Sequence, residues 1–115
     1  MHLKIFEIAK AHLEQEGHTV LAGFISPSHD RYVNRKMREE GFEQTLTGEQ
    51  RVQLCRLLCA RSDWVEVSPW EVQREKWSYI NEALEYHYKA IAGQYGGWFR
   101  FEMVYLCGMD VALKN

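Results

Sequence analysis

Four cationic side chains follow an apolar stretch that ends at a Ser-Pro turn. The apolar stretch covers residues 19–26, and the cations behind it are Arg31, Arg35, Lys36 and Arg38. Guanidinium and ammonium groups clustered in this way could bind an anionic ligand, and a connection as long as residues 27–46 tends to be functional or mobile. A solvated, partly helical face is the alternative, and we favour it for most of these side chains.

Two cysteines form a second candidate site. Cys55 and Cys59 are four residues apart, so on a helix they could share a soft metal ion. No other Cys or His lies at ligand spacing around them. Packing on the apolar face of a helix is therefore the favoured interpretation.

The elements that must position these residues alternate along the chain. The apolar periodicity predicts three helices and three strands, namely helix 3–16, strand 19–26, helix 48–60, strand 63–67, helix 69–92 and strand 102–107. The helix starts and ends carry clear signals, with Gly17 as a C-cap, a capping box at 47–50, and an N-cap Ser followed by Pro and a capping Glu at 68–71. This alternation predicts a doubly wound α/β fold with a parallel sheet.

The strand at 19–26 should be central to function. It is apolar at both alternating positions, which predicts burial on both faces. Open α/β sheets bind their ligands where such strands end. We therefore expect the functional side of the molecule to include the segment just after Ile25.

Composition narrows the class of protein. The chain has 115 residues, 46% of them hydrophobic, which suits one domain with a core. Its net charge of −2 argues against a nucleic-acid partner held by broad neutralisation of phosphates. No apolar run approaches the ~20 residues that span a bilayer, and the start lacks a signal-peptide pattern, so no membrane partner is expected. Three cysteines without framework spacing indicate a reducing, cytoplasmic or nuclear setting.

Six stretches together resemble a known enzyme family. In order and nearly in spacing, the chain is similar to the front half of a eukaryotic-type nicotinamide or nicotinate mononucleotide adenylyltransferase. The matching stretches are residues 1–10, 23–30, 51–52, 64–71, position 77 and residues 106–110. The resemblance implies a Rossmann-like nucleotidyltransferase fold, truncated here to about three strands and three helices in one partial domain over residues 1–115.

The resemblance also implies a reaction and its partners. The substrates would be ATP and the pyridine mononucleotide, whose phosphate attacks the α-phosphate of ATP and releases pyrophosphate. Mg²⁺ would accompany the ATP, without protein ligands that the sequence identifies. In such a reaction the protein mainly positions the two phosphates and stabilises the developing charge. A homo-oligomer is compatible with the family.

Three family roles transfer to matching positions in the main motifs. His2 would contact the ATP phosphates as the catalytic residue, although we favour an ordinary terminal residue for this position. Trp77 would stack on the pyridine ring, or instead belong to an apolar helix stripe. Gly108 and Asp110 would bind the nucleotide, or form an ordinary turn after a strand.

Two further positions follow from the loop after the first strand. Asp30 would be an acceptor that fixes this loop. The family has a phosphate-binding Lys where this chain has Asn34, which leaves Lys36 as the neighbouring phosphate contact. The polar substrate contacts expected after Trp77 are replaced by Tyr79 and Ile80, so the choice between carboxamide and carboxylate stays open.

Two family motifs fall outside the sequence. The first family strand with its phosphate loop would precede Met1, and a triphosphate-binding motif would follow Asn115. We expect the 115 residues to make no dinucleotide, and either to pair strands 19–26 and 102–107 directly or to be marginally stable. The alternatives are a non-catalytic nucleotide-binding or interaction module, and another nucleotidyltransferase of the superfamily, such as one acting on phosphopantetheine.

Overall fold

The computed structural model describes residues 2–41, 46–98 and 100–107. Its elements are α1 (His2–Gln15), β1 (Gly23–Ile25), α2 (Asp30–Glu39), α3 (Gly48–Cys59), β2 (Val65–Val67), α4 (Trp70–Gln73) and α5 (Ile80–Tyr95). The chain divides into two compact units, Met1–Ser78 and Tyr79–Asn115. None of the helices in the described part of the chain is long and apolar enough to cross a membrane.

A small parallel sheet lies at the centre of the first unit. β1 and β2 pair in parallel, with Gly23 opposite Val65 and Ile25 opposite Val67. The ladder continues past the strand end, where the N–H of Ser68 donates to the carbonyl oxygen of Ile25 over 2.8 Å. Parallel pairing within a mixed α/β unit was predicted from the helix–strand alternation, and the structure confirms it.

α1 packs beside the sheet through one aromatic contact. The rings of Phe6 and Trp64 meet edge to face with their centroids 6.0 Å apart. Gly23 makes this approach feasible, because a Cβ there would lie 2.8 Å from the Phe6 ring and 2.9 Å from the Trp64 ring. The helix ends as predicted at Gly17, whose φ of +92° is favourable only for glycine.

α3 covers β2 and supplies most of the core of this unit. The capping box is present, since Gln50 N–H donates to the Thr47 hydroxyl and Thr47 N–H donates to the Gln50 side chain. Cys59 packs as predicted, since it is buried together with Val52 of the same helix and Val65 of β2. Leu54, Leu57 and Leu58 point away from this core and are exposed.

β1 is shorter and less enclosed than predicted. It has three residues instead of the eight of the predicted strand, and Phe24 is 41% exposed. Burial of the strand on both faces was therefore wrong. Among the described residues β1 has one neighbouring strand, so its regular hydrogen bonding extends only as far as the short β2 allows.

The predicted helix 69–92 is in fact two helices. α4 ends at Gln73, Arg74 is extended with ψ of 154°, and α5 begins at Ile80. A tertiary contact accompanies the break, because the Arg74 carbonyl oxygen lies 2.9 Å from Nε2 of the His29 ring. The restart at α5 is also stabilised, since the Glu82 carboxylate accepts from the Tyr79 N–H over 3.1 Å.

The third predicted strand is not formed. Residues 101–107 carry no regular structure, and within the second unit they lie along α5. The Phe101 ring contacts Tyr88 at 5.1 Å, and Met103 and Tyr105 line a hollow of about 280 Å³ with Leu84. A strand requires a neighbouring backbone for its ladder, and the apolar side chains of this segment pack on a helix instead.

Candidate functional site

Two segments meet where the parallel strands end. One follows β1 and leads into α2, and the other follows β2 and includes α4. Because the strands are parallel, both segments emerge at the same edge of the sheet. The first contact between them is the Ser26 hydroxyl, which donates to the Glu71 carboxylate over 2.5 Å. Glu71, predicted as a capping residue, thus joins the two segments.

The His29 imidazole is the second link between these segments. Its Nδ1 accepts from the backbone N–H of Arg31 at 3.1 Å and so caps α2. Its Nε2 lies 2.9 Å from the carbonyl oxygen of Arg74, which can only accept. Nε2 is therefore the donor to this carbonyl, and Nδ1 is the acceptor. The ring is only 7% exposed and makes hydrogen bonds through both nitrogens.

Arg51 anchors the same segment from α3. Its guanidinium donates to the Ser28 carbonyl and to the Asp30 carboxylate, each at 2.6 Å. Gly48 allows α3 to come this close, since a Cβ there would lie 2.8 Å from Asp30 Oδ1 and 2.5 Å from a Val72 methyl. Two fixed donors on one planar group hold the turn between β1 and α2 in a single arrangement.

Trp77 lies beside α2 at this edge. Its indole ring is 36% exposed and has its centroid 5.0 Å from that of Tyr32. The Arg35 guanidinium carbon lies 4.5 Å from the indole centroid, within cation–π distance. Since Tyr32 and Arg35 are three residues apart, they share the face of α2 that contacts the indole.

A cationic cleft of about 570 Å³ opens between the same two segments. It is lined by Arg31, Arg74, Glu75 and Lys76, which are three cationic residues and one acidic residue. Arg74 is held in place, because its guanidinium donates to the Ser78 hydroxyl and lies 4.8 Å from the Trp70 centroid. Ser78 is itself 4% exposed. An excess of cationic residues, of which Arg74 is held in place, suits an anionic ligand.

The resemblance named six site residues, and the structure relates two of them to this edge. Asp30 is the first residue of α2 and receives the Arg51 guanidinium, and Trp77 contacts α2 as described. Lys36 is exposed on α2, one residue beyond Arg35 and so about 100° further around the helix. His2 begins α1, but its side chain lies outside what the structure describes, as do Gly108 and Asp110.

Three residues of the site were not predicted as functional. His29 lies in the matching stretch 23–30 but had no assigned role, and its partner carbonyl is 45 residues away. Arg51 matched the family pattern without an assigned role, and its contacts to Ser28 and Asp30 depend on how α3 folds back. Arg74 was placed inside a continuous helix, where its side chain would have had a different neighbourhood.

The cysteine pair lies apart from this edge, on α3. Burial raises the pKa of the Cys55 thiol, with the nearby Arg51 acting in the opposite direction. Burial also raises the pKa of Cys59, and the neighbouring Cys55 adds to the effect. Neutral, partly buried thiols fit the packing role. In the described part of the chain, no group of three or more His, Cys, Asp or Glu side chains could hold a metal ion.

Comparison with known proteins gives one consistent set of relatives. No protein-family model matches the chain. It is 38% identical to the nicotinamide-nucleotide adenylyltransferase of Drosophila melanogaster over 76% of this chain and 21% of the relative. The nicotinamide/nicotinic acid mononucleotide adenylyltransferase of Oryza sativa subsp. japonica is 37% identical over 65% of this chain and 27% of the relative.

A third relative agrees with these two. Nicotinamide/nicotinic acid mononucleotide adenylyltransferase 2 of Xenopus tropicalis is 33% identical over 75% of this chain and 26% of its own length. The chain therefore spans about a fifth to a quarter of the length of the curated relatives that it matches.

Proposed function

Because this chain is homologous to the nicotinamide/nicotinic acid mononucleotide adenylyltransferase family over two thirds to three quarters of its length, we propose that it carries the mononucleotide-binding part of such an enzyme. The proposed reaction belongs to NAD biosynthesis. A phosphate oxygen of the mononucleotide bonds to the α-phosphorus of ATP, and the bond to pyrophosphate breaks. The proposed fold of the whole domain is the Rossmann-like nucleotidyltransferase fold of the family.

The position of Trp77 carries this proposal. The aromatic residue that the resemblance assigns to ring stacking lies at the carboxyl edge of a parallel strand pair, more than a third exposed. It is flanked by Tyr32 and Arg35 of α2. An indole in this position offers a flat, electron-rich surface to the electron-poor pyridine ring.

The surrounding hydrogen bonds make that surface rigid. His29 and Ser26 join the segment before α2 to the segment that carries Trp77, and Arg51 fixes the turn at Asp30. Pre-organised positioning is the main contribution that a protein makes to phosphoryl and adenylyl transfer. The proposed role of these residues is therefore to place the mononucleotide, and no proton transfer is assigned to them.

The side chains present also indicate how Mg²⁺ would be bound. Mg²⁺ binding needs several oxygen ligands, and no group of three or more His, Cys, Asp or Glu side chains among the described residues could hold a metal ion. We propose that magnesium would reach the site on the phosphates of ATP. His2, Gly108 and Asp110 remain proposed contacts to ATP and the nucleotide, on the resemblance alone.

Calorimetric titration with nicotinamide mononucleotide tests the proposal. The chain should bind it, and Trp77→Ala should weaken binding roughly tenfold, because stacking on one aromatic side chain contributes about 1–3 kcal/mol. Trp98→Ala is the matched control, since Trp98 is 85% exposed in the other unit. No binding by the unaltered chain, or equal loss in both variants, would contradict the proposal.

The same experiment separates the alternatives. Tight binding of phosphopantetheine instead of the mononucleotide would indicate another nucleotidyltransferase. Mononucleotide binding without dinucleotide formation from ATP and Mg²⁺ by the full-length protein would indicate a non-catalytic binding module. Dinucleotide formation by the 115 residues alone would overturn the expectation that they are inactive.

A further inference from the structure

The cationic cleft beside Trp77 has no role in the contacts described so far. We infer that Arg31, Arg74 and Lys76 bind the phosphomonoester group of a ligand whose ring stacks on Trp77. The inference rests on the proposed function for the identity of the ligand, and the anion site can be tested without it. The family position for a phosphate-binding lysine is Asn34 here, and besides the neighbouring Lys36 the three cations of this cleft could supply the charge.

The cleft is continuous with the surface that the Trp77 indole forms beside α2. Lys76 immediately precedes Trp77, and Arg31 lies one helical turn before Arg35 on α2. Residues four apart lie on the same helix face, so Arg31 and Arg35 form one line along α2. Arg35 contacts the Trp77 indole and Arg31 lines the cleft. A ligand that stacks on the indole would therefore have its polar end beside the cations.

The cleft is positively charged, and one of its cations, Arg74, is held in place. The four lining residues carry a net charge of +2, which suits the dianion of a phosphomonoester. Ser78 and the Trp70 ring hold the Arg74 guanidinium before any ligand binds. Such pre-organisation lowers the entropy lost on binding. His29 adds to it, because its ring holds the Arg74 carbonyl against the start of α2.

Glu75 contributes the one negative charge among the residues that line the cleft. This carboxylate lines the same cleft and is exposed. Its charge opposes the binding of an anion, so it weakens the site that the three cations form. Replacing it with a neutral isostere should strengthen anion binding, whereas a purely structural role for the cleft predicts no such gain.

The test compares ligands that differ by one phosphate. Nicotinamide mononucleotide and nicotinamide riboside share the ring and the sugar, so their calorimetric affinities isolate the phosphate. We expect the mononucleotide to bind at least tenfold more tightly at low salt, and this preference to shrink as NaCl is raised to about 0.5 M because salt screens exposed charges.

Substitutions in the cleft test whether its residues cause the preference for the mononucleotide over the riboside. Arg31→Gln with Lys76→Gln should lower the affinity for the mononucleotide about tenfold and leave that for the riboside unchanged. Glu75→Gln should raise the affinity for the mononucleotide about two- to fivefold. Arg61→Gln is the charge-matched control on an exposed cation outside the cleft and should change neither affinity. Trp77→Ala should weaken both ligands.

The outcomes distinguish the two proposals. Equal affinity for mononucleotide and riboside, or a double variant that weakens both alike, would overturn the phosphate role and leave the stacking function standing. If neither ligand binds but inorganic phosphate binds and the double variant abolishes this, the proposed function fails and the anion cleft stands. No binding of phosphate, mononucleotide or riboside would overturn both.

Discussion

Loss of the His29 side chain should weaken the edge of the sheet. His29→Ala removes the acceptor that caps α2, which costs about 1 kcal/mol at an N-cap. It also removes the donor to the Arg74 carbonyl, and one such bond is worth about 1 kcal/mol. We therefore expect the free energy of unfolding to fall by about 2 kcal/mol, a large part of the stability of a small domain.

His29→Asn separates the two contributions. Asparagine is among the best N-cap residues, so the bond to the Arg31 N–H should persist. Its shorter side chain cannot also extend to the Arg74 carbonyl, so the loss should be about half that of the alanine variant. Urea unfolding followed by circular dichroism measures both values.

Hydrogen exchange at the Arg31 amide tests independently whether residue 29 still caps α2. Its protection should be lost in His29→Ala and retained in His29→Asn. An alanine variant within 0.5 kcal/mol of the unaltered protein would refute the reasoning. So would identical stabilities of the two variants, because the link to Arg74 would then contribute nothing.

Two further predictions concern α3 and its thiols. Gly48→Ala should destabilise the chain by about 1–3 kcal/mol through overpacking, because the new Cβ would lie 2.5 Å from a Val72 methyl. Gly93→Ala meets nothing within 4 Å in α5 and should instead be neutral or stabilising by up to about 1 kcal/mol, as urea midpoints would show. The raised pKa values of Cys55 and Cys59 mean that the folded chain keeps protons that the unfolded chain loses above about pH 9. Stability should therefore decline as the pH rises above about 9, and less steeply when both residues are alanine; equal slopes would contradict this.

Local signals in the sequence determined much of the first unit. The end of α1 at Gly17 and the start of α3 at Thr47 depend on neighbouring residues alone, and both were predicted. The parallel pairing followed from the alternation of helices and strands. These features need no knowledge of distant contacts.

The features that the sequence did not reveal depend on such contacts. The break after Gln73 coincides with a hydrogen bond to His29, which is 45 positions from Arg74. The length of β1 depends on how many residues β2 offers for pairing. Residues 102–107 have the composition of a buried strand, but they pack on a helix instead, and composition alone does not distinguish the two outcomes.

In the candidate site, too, some features followed from the sequence and others depended on contacts between distant residues. Trp77 was identified from the resemblance, and its placement beside α2 required the structure. The cationic cleft combines residues from the segments behind β1 and β2, which are 43 to 45 positions apart, since Arg31 meets Arg74, Glu75 and Lys76. No spacing rule in a single sequence links such positions.

Hydrogen exchange with and without nicotinamide mononucleotide tests the central claim most directly. That claim is that the segments behind two parallel strands form one mononucleotide site. The account predicts that the ligand increases protection in residues 26–35 and in residues 70–78 together, at matched ligand occupancy. Protection in neither segment, or only in residues outside both, would contradict it.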